Sequence, residues 1–344
     1  MIAATRLTKA AAVALVLGFG VARPCLADPY SLGSLANFAV YGFGAGTTIQ
    51  LTGPASINGN VGVGLGSDLT LGGAGLNVSG KIFFANPIVV SGAGDNFNAS
   101  GGPITINGQP ACNSDATCSD ASRAEGSNLV ASQAQGDQFF LYNEAGLLAA
   151  TTGSPTGTLN SLFTWTGNGG TNVARLASID LSTGDVLTLN GTASDFFIFN
   201  IVGAMTGSSN GAIVLGANVN PDHVLFNLLC DPIHIGICDD DIVQDGTGDP
   251  VSFSGSFAGA GIVTALDRDI TLTSTNAWTG RFFTATNKTI SIQGTITNPA
   301  VTVTPEPVTM ALVATGLLGL ASAGWLRPRR SRGGNGSSEN RTSV

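Results

Sequence analysis

Positive charge is scarce in this chain of 344 residues: 14 are Lys or Arg and two are His, against 22 Asp and Glu. Eight of the basic residues fall in the two terminal stretches. The residues between them carry six basic against 20 acidic side chains, a net charge near −14. Such a surface repels phosphate backbones, which excludes nucleic acid as a partner, and it would recruit divalent cations instead. Histidine scarcity bears on catalysis. Gly207-Ser208-Ser209-Asn210-Gly211 fits the G-x-S-x-G pattern, but a nucleophile there needs a strand-to-helix turn and His and acid partners. Here β-type segments flank it and only His223 and His234 exist, so the pentapeptide reads as a turn and His223 as a strand-edge side chain. Cysteine is scarce too. Cys25 aside, Cys112, Cys118, Cys230 and Cys238 make two sequence-close pairs. In an oxidising compartment these form Cys112–Cys118 and Cys230–Cys238; the spacings are not those of a zinc ribbon or finger.

Long apolar runs occur only at the two ends. Arg6 and Lys9 precede the apolar stretch Ala10–Val21, and Cys25-Leu26-Ala27 comes just before Asp28, the pattern of a cleaved secretory signal over residues 1–27. Arg23 and Pro24 ahead of Cys25 argue against a lipoprotein anchor. At the other end Val308–Leu326 is long enough to cross most of a bilayer core of about 30 Å, and Arg327, Arg329, Arg330 and Arg332 would hold its far end in the cytoplasm. Pro305-Glu306-Pro307 stands directly before this span. Triplet, span and arginine cluster together resemble the PEP-CTERM sorting signal of Gram-negative bacteria, here over residues 301–344. That resemblance implies export, a transient inner-membrane anchor and processing by an exosortase, with the product at the cell surface or secreted. The polar tail Gly333–Val344 departs from the usual signal, and a permanent anchor is the plainer alternative.

What is abundant is glycine, 48 residues, among short alternating segments. "TTIQLTG", "SDLTLGG", "DVLTLNG", "RDITLTS" and "KTISIQGTIT" each alternate with period two and end at a turn former, as half-buried strands do. A unit of polar, aliphatic, polar, glycine recurs at Ser56–Gly59, Asn77–Gly80, Thr105–Gly108, Thr188–Gly191 and Ser291–Gly294. "DFFIFN", "DHVLFN" and "DPVSFS" begin at Asp195, Asp222 and Asp249, two steps of 27 residues that place Phe199, Phe226 and Phe253 at equivalent positions. A fixed period of this size predicts stacked coils. Between residues 119 and 150 the pattern turns helical, with a stripe of Val130, Ala134, Leu141, Ala145 and Leu148, Ser119 as a candidate N-cap, and Gly153-Ser154-Pro155 as a stop.

"LGSLANFAVYG", "TGPASINGNVGVG", the helix with "ASQAQGDQFFLYNEAG", and "WTGRFFTATNKTISIQGTIT" resemble blocks of the bacterial and fungal ice-binding proteins of the irregular β-solenoid type, over about Leu32–Thr297. The resemblance implies an all-β ectodomain over residues 28–300: a discontinuous right-handed β-solenoid of triangular section with one long helix packed alongside. It implies recognition of ice by a flat Thr/Ser-rich face. Candidate members of that face are Thr271, Thr273 and Thr275, with Thr284, Thr286, Thr289, Ser291 and Thr295 on neighbouring strands. Threonine is also an ordinary solvent-facing strand residue. Cys230–Pro250 departs from the family as an insertion, and its Asp239, Asp240, Asp241, Asp245 and Asp249 supply hard oxygen ligands suited to Ca²⁺ or, more simply, a solvated acidic loop. No other cofactor is expected. The chain reads as a non-enzymatic surface protein whose target is ice. An adhesin or structural component of an extracellular polysaccharide matrix is the alternative, and a glycan hydrolase a remote one.

Overall fold

In the computed structural model of the protein, residues 28–89, 97–100, 104–110, 123–229, 250–273 and 275–299 are described. The stretches read as an export signal (1–27) and a sorting signal (301–344), Ser119, the cysteines at 112, 118, 230 and 238, and Asp239–Asp249 lie outside them. Alternation of buried and exposed residues turns each short segment into a strand, and nearly all the strands pair in parallel with counterparts from other coils. The pairings sort into three ladders. Each coil contributes one strand to each, as Phe38–Phe43, Thr48–Thr52 and Ser56–Asn58 do.

Strands of the first ladder are buried on both faces, so their sequences are continuous apolar runs: Phe38–Phe43 and Phe196–Ile201 have no exposed residue. One side faces the coil interior. There a single column runs in register through Ala174, Phe199, Phe226, Val263, Phe282, Val40, Val61 and Ile82. The Phe199 and Phe226 rings stack with centroids 5.0 Å apart and planes 12° apart. The third member expected from the 27-residue period is not in this column. Phe253 pairs instead with Gly207 and Leu272 on the second ladder, and Val263 occupies the place beside Phe226. Val263 follows Phe226 by 37 residues (263 − 226), so a step of 27 from Phe226 ends on the second ladder, short of a full turn.

The other side of the first ladder faces the helix Leu129–Leu147. Its N-cap is Asn128, whose side chain accepts from the Val130 and Ala131 amides at 2.9 and 3.1 Å. The sequence placed the N-cap nine residues earlier, at Ser119; Asn128 ends the preceding extended stretch and takes the capping role. Ala131, Ala134, Gln138, Leu141, Tyr142, Ala145 and Gly146 form the buried stripe. No helix among the described residues is long and apolar enough to cross a membrane.

Chain order and stacking order differ. The last coil, Ala277–Thr297, pairs strand for strand with the first, Phe38–Asn58. The coils up to Ile106 therefore stack beyond the C-terminal one, and the helix carries the chain back along the stack to start the rest. One end of the helix is tied at Phe84, whose carbonyl accepts from the Asn128 amide, and the other at Arg175. Seven strand steps separate those strands, about 34 Å, against about 28 Å for 19 helical residues. Extended flanks and the Arg175 side chain make up the difference.

Arg281 fixes the junction. Its side chain is fully buried, paired with Asp222 through Nε at 2.9 Å and Nη2 at 3.1 Å, and its Nη1 donates to the Ala36 and Phe38 carbonyls at 2.7 and 2.9 Å. Gly261 and Gly280 are register partners where two long strands turn a corner; a Cβ on Gly280 would sit 1.9 Å from the Gly261 carbonyl oxygen. Asp195 organises another corner. It is 1% exposed and accepts from the Gly169, Gly170 and Thr192 amides, the Thr192 hydroxyl and Asn172 Nδ2. Burial raises its pKa, but these hydrogen bonds outweigh that, and the net position is below the ordinary carboxylate value.

Two outcomes follow from these contacts. Arg281→Met leaves the Asp222 carboxylate without its partner and is expected to lower unfolding free energy by about 3 kcal/mol in chemical denaturation. Asp195→Asn is expected to be less stable than the parent at neutral pH. A depressed folded-state pKa contributes stability above the unfolded value, near about 4, and loses it as pH falls through the folded value. The gap between parent and variant should therefore close in acid, which melting curves from pH 7 down to pH 2 would follow.

Candidate recognition face

The first ladder is covered by the helix, so only the second and third present strand side chains to solvent. They differ in charge. Along the second ladder one outward row runs through Asp180, Thr206, Ser252, Thr271, Ser291, Gln50 and Thr70. Asp180 Oδ1 accepts from the Thr206 hydroxyl at 2.9 Å, and Asp68 stands beside Thr48 and Thr289 in the flanking row. This is the acid-bearing ladder.

The third ladder carries no charge in its outward rows. One row is Ala212, Ala258, Ala277, Thr295, Ser56, Asn77 and Thr105. Beside it Ala260, Thr279, Thr297 and Asn58 continue the strands, and Thr164, Thr188 and Val214 do so further along the stack. Ala258, Ala277, Thr279, Thr295, Asn58, Asn77, Thr164 and Val214 are exposed. Alternate residues point inward and set the plane: Leu187, Ile213, Trp278, Ile296, Ile57, Val78 and Ile106 are all buried. Trp278 fixes the middle of it, donating from Nε1 to the Gly261 carbonyl at 2.8 Å and packing on Phe253 and Phe282. Strand pitch and residue repeat give the outward groups a lattice of about 4.8 Å by about 6.8 Å. Small neutral side chains on a rigid, repeating floor can order water or meet a solid surface. They offer no acid, base or nucleophile.

The eight threonines and serines expected on one face do not share one. Thr271, Thr289 and Ser291 are on the acid-bearing ladder, and Thr273 follows its strand, its Oγ1 accepting from Asn276 Nδ2 at 3.2 Å. Thr275 is an exposed residue between strands, and Thr286 lies in a turn with φ 34°. Thr284 is fully buried, its hydroxyl donating to the Ala265 and Arg268 carbonyls at 2.8 and 3.0 Å, and so belongs to no outer face. Thr295 alone is on the neutral ladder. The alanines and asparagines of that ladder were missed because threonine alternation was the criterion. The inward phase of Trp278 would have picked out Ala277 and Thr279. Gly207–Gly211 is a corner between strands, with Ser209 at φ 28° and Asn210 at φ 69°. His223 follows Pro221 in a short 3-10 turn and stacks on Phe196 at 4.0 Å; burial holds its pKa below the ordinary histidine value.

No protein family matches the sequence, and no curated protein matches it. Solved structures do match. An ice-binding protein from an Arctic yeast covers 80% of this chain and 97% of its own, at 17% identity and a TM-score of 0.49. One from Shewanella frigidimarina covers 78% of this chain and 98% of its own at 20% identity and TM-score 0.44. An ice-binding protein from an Antarctic bacterium of the Flavobacteriaceae matches 80% of this chain with 49% of its own, at 20% identity and TM-score 0.47.

Replacing an outward-facing residue of either ladder, exposed as Thr279 is or partly exposed as Thr271 is, should leave the fold intact. Thr279→Tyr and Thr271→Tyr are each expected to shift unfolding free energy by less than about 0.5 kcal/mol, whereas Thr284→Val, which removes the buried hydroxyl donor shared by the Ala265 and Arg268 carbonyls, should cost about 1 to 3 kcal/mol. Denaturant titration of the three variants checks this.

Proposed function

We propose that this chain is an exported, non-enzymatic surface protein that binds ice through the neutral ladder. The observation that carries the reading is the pair of outward rows around Ala277, Thr279, Thr295 and Thr297, every member uncharged and set at a constant register. Ice offers only neutral donors and acceptors at fixed spacing. A carboxylate facing it would have to give up its own hydration, at high cost. Methyl and hydroxyl groups on a stiff lattice lose little on meeting an ordered layer of water, and many such contacts are made at once. The acid-bearing ladder, with Asp180 and Asp68, fits this requirement less well. Three ladders per coil support a triangular section, and parallel crossovers favour the right-handed winding.

The same reading extends to the ends of the chain. Residues 1–27 direct export, and Pro305-Glu306-Pro307 with the span 308–326 and Arg327, Arg329 and Arg330 present the chain to an exosortase. Cys112–Cys118 and Cys230–Cys238 close as disulfides outside the cytoplasm, and Asp239, Asp240, Asp241, Asp245 and Asp249 bind Ca²⁺ weakly if at all.

Thermal hysteresis and ice recrystallisation measurements test the proposal. Thr279→Tyr and Ala277→Tyr should each reduce activity about ten-fold or more by lifting the face off the crystal, and Thr271→Tyr should leave it unchanged. The reverse pattern would move the site to the acid-bearing ladder. An inactive parent chain that instead sediments with extracellular polysaccharide would replace ice with the matrix role.

A further inference from the structure

Half of the large apolar side chains exposed among the described residues sit on one helix: Leu129 at 75%, Phe139 at 39%, Phe140 at 66% and Leu147 at 64%. Three of them share one line. At 100° per residue Leu129, Gly136, Phe140 and Leu147 fall within about 20° of a common direction. Gln138, fully buried, points the opposite way. The outer face of the helix is thus a stripe about 27 Å long. Its remaining members are neutral: Gln133 is exposed, Asn143 partly so, and Gly136 has open space where a Cβ would be.

The stripe is symmetric about Gln138. Leu129 and Leu147 lie nine residues to either side, and Gly136 and Phe140 lie two to either side. A two-fold axis crossing the helix at that level would set Phe140 of one copy over the gap at Gly136 of the other, and Leu129 against Leu147. We infer that this helix face is a self-association surface, on which two copies of the chain pair antiparallel with Phe140 seated at Gly136. Charge supports a second copy as the occupant. The exported part of the chain is strongly acidic, and this stripe lets two such molecules approach without opposing carboxylates. Glu144, at the stripe's margin, meets Gln133 of the second copy, an amide able to donate to it.

Covering the three apolar side chains of the stripe removes roughly 400 Å² per copy, and about 800 Å² in the pair, which is below the range of permanent interfaces. The dimer is therefore weak and concentration-dependent, suited to a protein crowded on a surface. It lies over the first ladder and leaves the neutral ladder open, so it stands whether or not that ladder binds ice.

Two differently tagged copies of the full chain, co-expressed with one cysteine each, test the register. Gly136→Cys with Phe140→Cys, and Leu129→Cys with Leu147→Cys, should give a disulfide-linked band carrying both tags. Gly136→Cys with Gly136→Cys should not. Adding Phe140→Glu to the Leu129→Cys and Leu147→Cys pair should cut the band about ten-fold with unchanged melting. Gly136→Leu should cut it as well, although leucine strengthens the helix, a result that a purely structural role for this face does not produce. The inference is overturned by equal linkage of all pairs, by no band from either designed pair, or by a band indifferent to Phe140→Glu. Phe140-dependent flotation with phosphatidylethanolamine and phosphatidylglycerol vesicles, in place of the band, would assign the stripe to a membrane.

Discussion

The pairing of the last coil with the first is the constraint on which the rest depends. Phe38–Phe43 is an interior strand with neighbours on both sides, Ala277–Ala285 on one and Asn60–Val63 on the other. A strand in that position has no free edge, so sheet partners are available to its backbone groups on both sides. The chain must then leave the end of the stack and return to it, and the helix is the return path. Arg281 makes the insertion specific. A buried guanidinium is tolerated only with its donors satisfied, and here the Asp222 carboxylate and the carbonyls of residues 36 and 38 satisfy them at the seam itself.

The helix is held by polar contacts as well as by apolar burial. Its register column on the first ladder begins Arg175, Asn200, Asn227 and continues through Thr264, Phe283 and Tyr41. Asn227 Nδ2 reaches both the Tyr142 carbonyl and Asn200 Oδ1, Asn200 Nδ2 reaches the Ala145 carbonyl at 2.8 Å, and Arg175 reaches the Gly146 carbonyl at 2.7 Å. Carbonyls at a helix C-terminus lack intrahelical partners, and a cation there also complements the dipole. The helix supplies no basic residue of its own in its last turn; β strands supply it. At the other end Tyr41 donates to the Ala131 carbonyl at 2.7 Å. Asparagine within "DFFIFN" and "DHVLFN" is thus a helix-docking residue, and its side chain explains why two otherwise apolar strands each carry one amide.

Legibility in the sequence followed burial. Strands with one wet face, such as Thr48–Thr52, Asp68–Gly72 and Val186–Asn190, alternate and were readable. The polar-aliphatic-polar-glycine unit marked a common place only in part: Ile57, Val78 and Ile106 stack in one column of the neutral ladder, Leu189 lies in another column of it, and Ile292 is on the acid-bearing ladder. Strands that turn a corner within one run were not readable as two. Ala258–Ala265 and Ala277–Ala285 each serve two ladders in one continuous register through Gly261 and Gly280, so the outward residues of a single run face solvent before the corner and the helix after it. Thr279 and Thr284 lie five positions apart in that run and so take opposite faces, Thr279 outside and Thr284 inside. The 27-residue period failed at its second step because 37 residues, not 27, separate Phe226 from its column neighbour Val263. The seam between Phe282 and Val40 had no local signal at all, because it joins residues more than 240 positions apart.

That seam has a consequence for how the molecule is made. Arg281 bonds to the carbonyls of Ala36 and Phe38 across sequence separations of 245 and 243 residues. During synthesis the opening coils therefore wait, with one strand row unsatisfied, until nearly all of residues 28–299 have emerged. Closing so long a loop is slow, and an unpaired row of strands is open to the wrong neighbour in the meantime. A chain stopped short of Arg281 has two half-stacks and no seam.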